Sequence, residues 1–192
     1  MNTNINTVVK GHVLIQDRQT GEILLDKDNA IHPQNMAAVI ARGLANEPNF
    51  QIFKVGLGNG GTYIDAGLNI VYNPPNVVGS AANLYNETYT EIIDDGNVGV
   101  GSGNSVISQA SPLPAITQQV ICTVILAPNE PSGQAPSDGV TTNPDSLFTF
   151  DELGLKTADA VPLLLSHIIF SPIEKTANRE MIVTYTLTIS VS

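Results

Sequence analysis

The stretch GLGNGGT, residues 56–62, places Gly56, Gly58 and Gly61 in the spacing G-x-G-x-x-G. It completes IFKVGLG, an apolar run that reads as a strand. These are two conditions of a dinucleotide fingerprint, in which glycines let the backbone approach a pyrophosphate and a helix N-terminus binds its charge. The other conditions fail. The fingerprint must open a helix, but TYIDAGLNIVYNPP follows, broken by Gly67 and closed by Pro74 and Pro75. The acidic residue expected about 20 positions on is missing, because residues 76–82 read NVVGSAA. No G-K-[ST] of a P-loop is present. Gly56, Gly58, Gly60 and Gly61 are therefore read as structural turn glycines. They let the chain leave a strand with positive φ, turn tightly and lie close to another backbone. No cofactor is expected.

A doubly wound fold alternates strands and helices, and this chain offers one convincing helix, near residues 33–45. Pro33 suits a first helical turn. Met36, Val39, Ile40 and Leu44 recur at spacings of three and four, an apolar stripe suited to covering an edge or end of a sheet. Asn46 and Pro48 supply the stop. Elsewhere the pattern is β. In MIVTYTLTISV, residues 181–191, Met181, Val183, Tyr185, Leu187, Ile189 and Val191 share one face in strict alternation. Residues 8–15 and 22–26 read as a hairpin turning at Gly21. Residues 52–57, 84–93, 116–126, 147–150 and 163–170 complete a set of about eight strands. The expectation is a mainly β chain, a single antiparallel β-sandwich domain over 1–192, of jelly-roll type. Long loops are expected at 58–83, 94–115 and 127–146; loops of that length are commonly functional.

Composition agrees. Of 192 residues only 14% are charged, aromatics are few, and Trp is absent. Sparse charge with many turn-formers and β-branched residues favours strands. The net charge of −10, from 8 Lys+Arg against 18 Asp+Glu, argues against direct contact with nucleic acid, which needs clustered cations. It also argues against an anionic membrane surface. No run approaches the roughly 18 apolar residues of a membrane span. The N-terminus lacks a basic region followed by an apolar one, so no secretory leader is expected.

Candidate chemistry is thin. Cys122, the one cysteine, lies among alternating apolar residues and reads as a small buried hydrophobe. His12, His32 and His167 are far apart, so no metal triad is expected; His167 is placed on the less buried face of its strand. Asp94, Asp95, Gly96 and Asn97 resemble half a calcium loop without its distal Glu and read as a turn. Asp151 and Glu152 are adjacent, and strand neighbours point to opposite faces, which separates them as an acid/base pair. No catalytic constellation emerges, and an enzyme is not expected.

Four pieces occur in an informative order: DKDNAIHPQNMAAVIARGLA (26–45), FKVGLGNGGT (53–62), LFTFDELGL (147–155) and REMIVTYTLTISV (179–191). This ordering resembles structural proteins of tailed-bacteriophage virions, at the two ends of the chain rather than over 63–146. The resemblance implies a non-enzymatic subunit in many symmetric copies, assembled in the host cytoplasm into the virion. A neck or collar position at the head–tail junction fits first. A capsid decoration protein, or a tail or receptor- and glycan-binding module, are the alternatives. The partners implied are other copies of the chain and portal, connector, capsid or tail proteins.

Overall fold

A computed structural model describes residues 6–93, 104–110, 117–128, 130–131 and 148–191. The element order is β1 (Thr7–Asp17), β2 (Ile23–Ile31), α1 (Pro33–Leu44), β3 (Ile52–Gly58), β4 (Thr62–Ile64), β5 (Ile70–Tyr72), β6 (Glu87–Ile92), β7 (Ser105–Ala110), β8 (Thr117–Leu126), β9 (Phe148–Thr157), β10 (Leu164–Lys175) and β11 (Met181–Val191). The fold is mainly β, with one helix among the described residues, and each described strand pairing is antiparallel.

Nine strands form one sheet in the order β6-β3-β9-β10-β2-β1-β11-β8-β7, and β4 and β5 form a separate pair. The alternation of β11 is visible in its burial: Met181, Val183, Tyr185 and Leu187 are buried, and the residues between them are half-buried. That face meets the other half of the same sheet. β2 is the seam, paired along most of its length with β1 but with β10 only at Ala30 and Ile31. Beyond the seam the sheet curls. Core residues of β1, β8 and β11 thereby join those of β3, β9 and β10 in one cluster. The buried Tyr185 hydroxyl on β11 donates to Ser166 Oγ on β10, a polar contact across that core. This two-layered arrangement is consistent with the expected sandwich. Asn104 ties the curl at its far side. Its amide donates to the Ile92 carbonyl at 2.8 Å, and its side-chain oxygen accepts from the Ile125 N–H at 2.7 Å.

The β1–β2 hairpin follows from local chemistry. The Asp17 carboxylate accepts from the Gln19 and Thr20 amides, both at 2.9 Å, and Gly21 takes φ +75°. Asx-type bonding and a left-handed glycine are what a tight turn needs. The helix starts at Pro33, with the His32 ring Nδ1 accepting from the Asn35 N–H as N-cap. The buried Asn35 amide donates to the Leu164 carbonyl at 2.9 Å and fixes α1 to β10.

Three expectations need correction. The region 58–83 is no plain loop, because β4 and β5 lie inside it, and 105–110 within the expected loop 94–115 is strand β7. Three-residue strands are too short to show a period, and SVISQA alternates too weakly to stand out. Among the described residues the strand count is eleven, against the expected eight or so. The apolar stripe of α1 is only half covered: Met36 is buried and Val39 packs on the core, but Ile40 is 38% and Leu44 86% exposed. The expected loop at 127–146 lies largely outside the described residues.

Burial sets the expected response to truncation. Leu153→Ala, at a fully buried site, is expected to destabilise the fold by about 2–5 kcal/mol. Leu44→Ala should change stability by no more than about 0.5 kcal/mol. Urea denaturation of the two variants checks the contrast.

Candidate functional site

Asp151 and Glu152 sit inside β9, flanked by Phe150 and Leu153, and are 3% and 0% exposed. A carboxylate in such surroundings is tolerable only if its oxygens are well supplied with donors. The donors come from the glycine turn. Pairing of β3 with β9 ends at Gly58 opposite Glu152, after which the chain turns across β9 and offers its unpaired amides. The Gly61 N–H donates to Asp151 Oδ1 at 2.8 Å and the Thr62 N–H to Oδ2 at 2.9 Å, joined there by the Thr62 hydroxyl. The Gly60 N–H donates to Glu152 Oε1 at 3.1 Å.

Glu152 is supplied from two further directions. The Asn86 N–H reaches Oε1 at 2.7 Å and the Tyr85 N–H reaches Oε2 at 2.9 Å. His167 Nε2 lies 3.0 Å from the same Oε2. Because His167 Nδ1 accepts from the Asn76 N–H at 2.8 Å, the ring proton is on Nε2 and points at Glu152. The result is a closed clamp in which one carboxylate gathers the turn at 60, the chain at 85–86 and strand β10. Next to it, the buried Lys156 ammonium bonds the Glu87 carboxylate and Asn83 Oδ1.

Burial and these contacts compete, and the balance shifts the two acids in opposite directions. Burial is the largest single effect on Glu152 and raises it. The hydrogen bonds from His167, Asn86 and Tyr85 together outweigh burial and hold the carboxyl below its ordinary 4.5. For Asp151 burial wins and the carboxyl is raised, against the opposing bonds from Thr62 and Gly61.

The four turn glycines are explained by proximity. A Cβ at Gly58 would lie 2.3 Å from the Asn86 carbonyl oxygen, one at Gly60 2.7 Å from the Asn86 nitrogen, and one at Gly61 2.7 Å from the Asp151 carbonyl oxygen. At Gly56 the nearest atoms, Glu87 Oε1 at 2.9 Å and Leu84 Cδ1 at 3.0 Å, are ends of side chains that can shift. The expectation of positive φ is corrected: none of these four glycines has it, and among the described glycines it belongs to Gly21 and Gly79. Close approach of backbone, rather than handedness, demands glycine here.

The placement of His167 is also corrected, since it is fully buried. Periodicity put it on the outer face, and the face assignment fails because the chain from 73 to 86 covers that face. Asn76, Tyr85 and Asn86 supply the cover. His12 is half-buried with its Nε2 2.7 Å from Asp26 Oδ1, and His32 caps the helix while its Nε2 meets the Gly79 carbonyl oxygen at 2.9 Å. The three histidines are thus in separate places. Among the described residues no group of three or more His, Cys, Asp or Glu is arranged to hold a metal, and no helix is long and apolar enough to cross a membrane. Residues 94–97 lie outside the described residues. Cys122 is buried, and burial pushes its thiol up to about 12.

Sequence reasoning missed the clamp, although a signal was present. The pair D-E inside F-D-E-L-G-L is polar where both neighbours are core, and GNGG is a run of amides without strand partners. Each stretch lacks what the other supplies.

Comparisons with known proteins return no matching family model, and no significantly similar curated protein or solved structure.

Replacing Glu152 by Gln presents an amide where four donors converge, and should cost about 3 kcal/mol or more at neutral pH. The sign with pH follows from the lowered carboxyl. Its contribution is complete above the unfolded value of 4.5 and is lost as pH falls through the lower folded value. Urea titrations from about pH 6 to pH 3 should therefore show the gap between wild type and Glu152→Gln narrowing with acid. In the same assay Gly58→Ala should destabilise by about 1–3 kcal/mol and exceed the effect of Gly56→Ala. A thiol reagent should leave Cys122 unmodified until denaturant unfolds the chain.

Proposed function

We propose that this protein is a non-enzymatic structural subunit of a tailed-bacteriophage particle, assembled in the host cytoplasm in symmetric copies at the neck or collar between head and tail. The reading rests first on what the surface offers a neighbour. Of the fifteen large apolar side chains exposed among the described residues, seven fall between 63 and 85: Tyr63, Ile64, Leu68, Ile70, Tyr72, Val78 and Tyr85. Scattered exposed hydrophobes need no explanation; seven along one short segment are the apolar side chains this reading gives to a partner.

That surface is held in place rather than loose. The Asn73 N–H and side-chain amide bond the carbonyls of Gly61 and Gly60 at 2.8 and 3.0 Å. Tyr72 meets Ser171 Oγ at 2.6 Å, and the Tyr85 hydroxyl donates to the Pro74 carbonyl at 2.8 Å. A pre-ordered apolar excursion loses less entropy on association than a mobile one.

The four sequence pieces that resemble virion proteins also support the reading. Two of them, FKVGLGNGGT and LFTFDELGL, meet at the clamp, and a third carries the helix cap at His32. Asp151, Glu152, His32 and Asn35 within them are spent on holding backbone. The net charge of −10 suits a place without direct contact with packaged DNA.

Quantitative peptide mass spectrometry of purified particles tests the assignment. A constant stoichiometry of about a dozen copies per particle is the outcome expected for a ring at the neck. Hundreds of copies would replace the neck by capsid decoration, and absence from purified particles would overturn the virion reading altogether.

A further inference from the structure

The hairpin β4–β5 carries its apolar residues to a built tip. Ile64 pairs with Ile70 across the hairpin, and the five-residue turn between them is organised by Asp65. Its carboxylate accepts from the Gly67 N–H at 2.8 Å and the Asn69 N–H at 2.9 Å. The Asp65 N–H and the Leu68 N–H close the turn onto the carbonyls of Asn69 and Asp65, both at 3.0 Å. At the tip Leu68 takes φ +64° and is 85% exposed. A left-handed, solvent-facing site is one that Gly or Asn fills with least strain. A branched apolar side chain there meets the needs of neither the turn nor the core.

The same chain holds a recess of matching chemistry. Between α1 and the adjoining ends of β1 and β2 lies a groove of about 310 Å³ lined by Val9, Ile31, Pro33, Met36, Ala37 and Ile40, with Thr7 as its one polar residue. It is where the described residues leave the apolar stripe of α1 uncovered. None of its lining residues is charged. Between 62 and 72 the only charged residue is Asp65, whose carboxylate is already bonded within the turn. Asp65 keeps its charge within those bonds, so the tip carries one negative charge; in a chain with net charge −10, copies repel one another least where surfaces this sparsely charged meet.

We propose that Leu68, flanked by Ile64 and Ile70, is a knob that seats in the α1–β1 groove of a second copy of this chain. This deepens the assembly reading above and rests on it. Knob and groove are different surfaces, so the contact is heterologous, and repetition of it closes a ring or extends a filament.

Such a contact has a diagnostic test. Leu68→Asn removes the knob while keeping a residue that tolerates the turn, and Ala37→Arg fills the groove from an exposed helical position. Both should leave the circular dichroism spectrum and thermal midpoint unchanged. Sedimentation velocity over a concentration series should show wild type associating, with each variant weakened by about thirty-fold or more. Mixing the two variants should restore association, but only as far as a 1:1 dimer. In that dimer the intact Leu68 of one variant occupies the intact groove of the other.

Association of either variant at wild-type strength, or no dimer on mixing, overturns the knob and groove. So does a wild-type chain that stays monomeric throughout. Particle composition separates these failures from failure of the assembly reading: a chain present in particles with its knob dispensable sinks this inference alone.

Discussion

Burying a charge in a β-sheet core is costly by several kcal/mol unless donors replace the water it loses, and Glu152 has no exposed surface at all. Its two oxygens take four donors from three separated parts of the chain: Gly60, Tyr85 with Asn86, and His167. Remove the carboxylate and the three amides lose a buried acceptor at once, as does the imidazole. The covering segment from 59 to 86 has few apolar anchors of its own, Leu84 being the main buried one. Its position on the sheet therefore depends on this polar contact more than on hydrophobic burial.

The clamp also explains why β9 is buried on both faces from Phe150 to Thr157. On the inner face Leu153 and Leu155 enter the common core. On the other face Glu152 and Lys156 meet the covering segment, Lys156 through Glu87 and Asn83. An antiparallel strand normally leaves one face wet. Here the second face is dry because a polar layer lies over it, and that layer exists because the turn at 59–61 sends the chain back across the strand.

How much of this was legible in the sequence depended on the length over which a pattern repeats. β11 alternates over a full strand and α1 has cap, stripe and stop, so both were readable from residues alone. β4 and β5 span three residues each, and pair across a turn whose signal, Asp65 with Gly67 and Asn69, is local. His167 was misplaced because periodicity assigns a residue to a face but does not know whether another segment covers that face. Ile40 and Leu44 were expected to be buried for the converse reason: the helical stripe marks apolar residues without saying whether this chain or a neighbour covers them. Asp151 and Glu152 were expected to point two ways; the structure brings both to consecutive amides of one turn, Gly60, Gly61 and Thr62, about 90 residues away and beyond any local rule.

The glycine turn closes the circle with the nucleotide-binding loop it mimics. Phosphate loops work because glycines let successive amides approach an anion without side chains in the way. GNGGT obeys the same physics: its amides converge on negative oxygen, and its glycines are required by contacts too close for a Cβ. The anion, however, is built into the chain at Asp151 and Glu152, so the cradle is filled by folding. A loop that would otherwise bind an exchangeable ligand becomes a rivet, and the chain beyond it is delivered to the outer face in one orientation. The hairpin starting at Thr62, itself bonded to Asp151, inherits that orientation, which is how a buried ion comes to fix the direction of an exposed leucine.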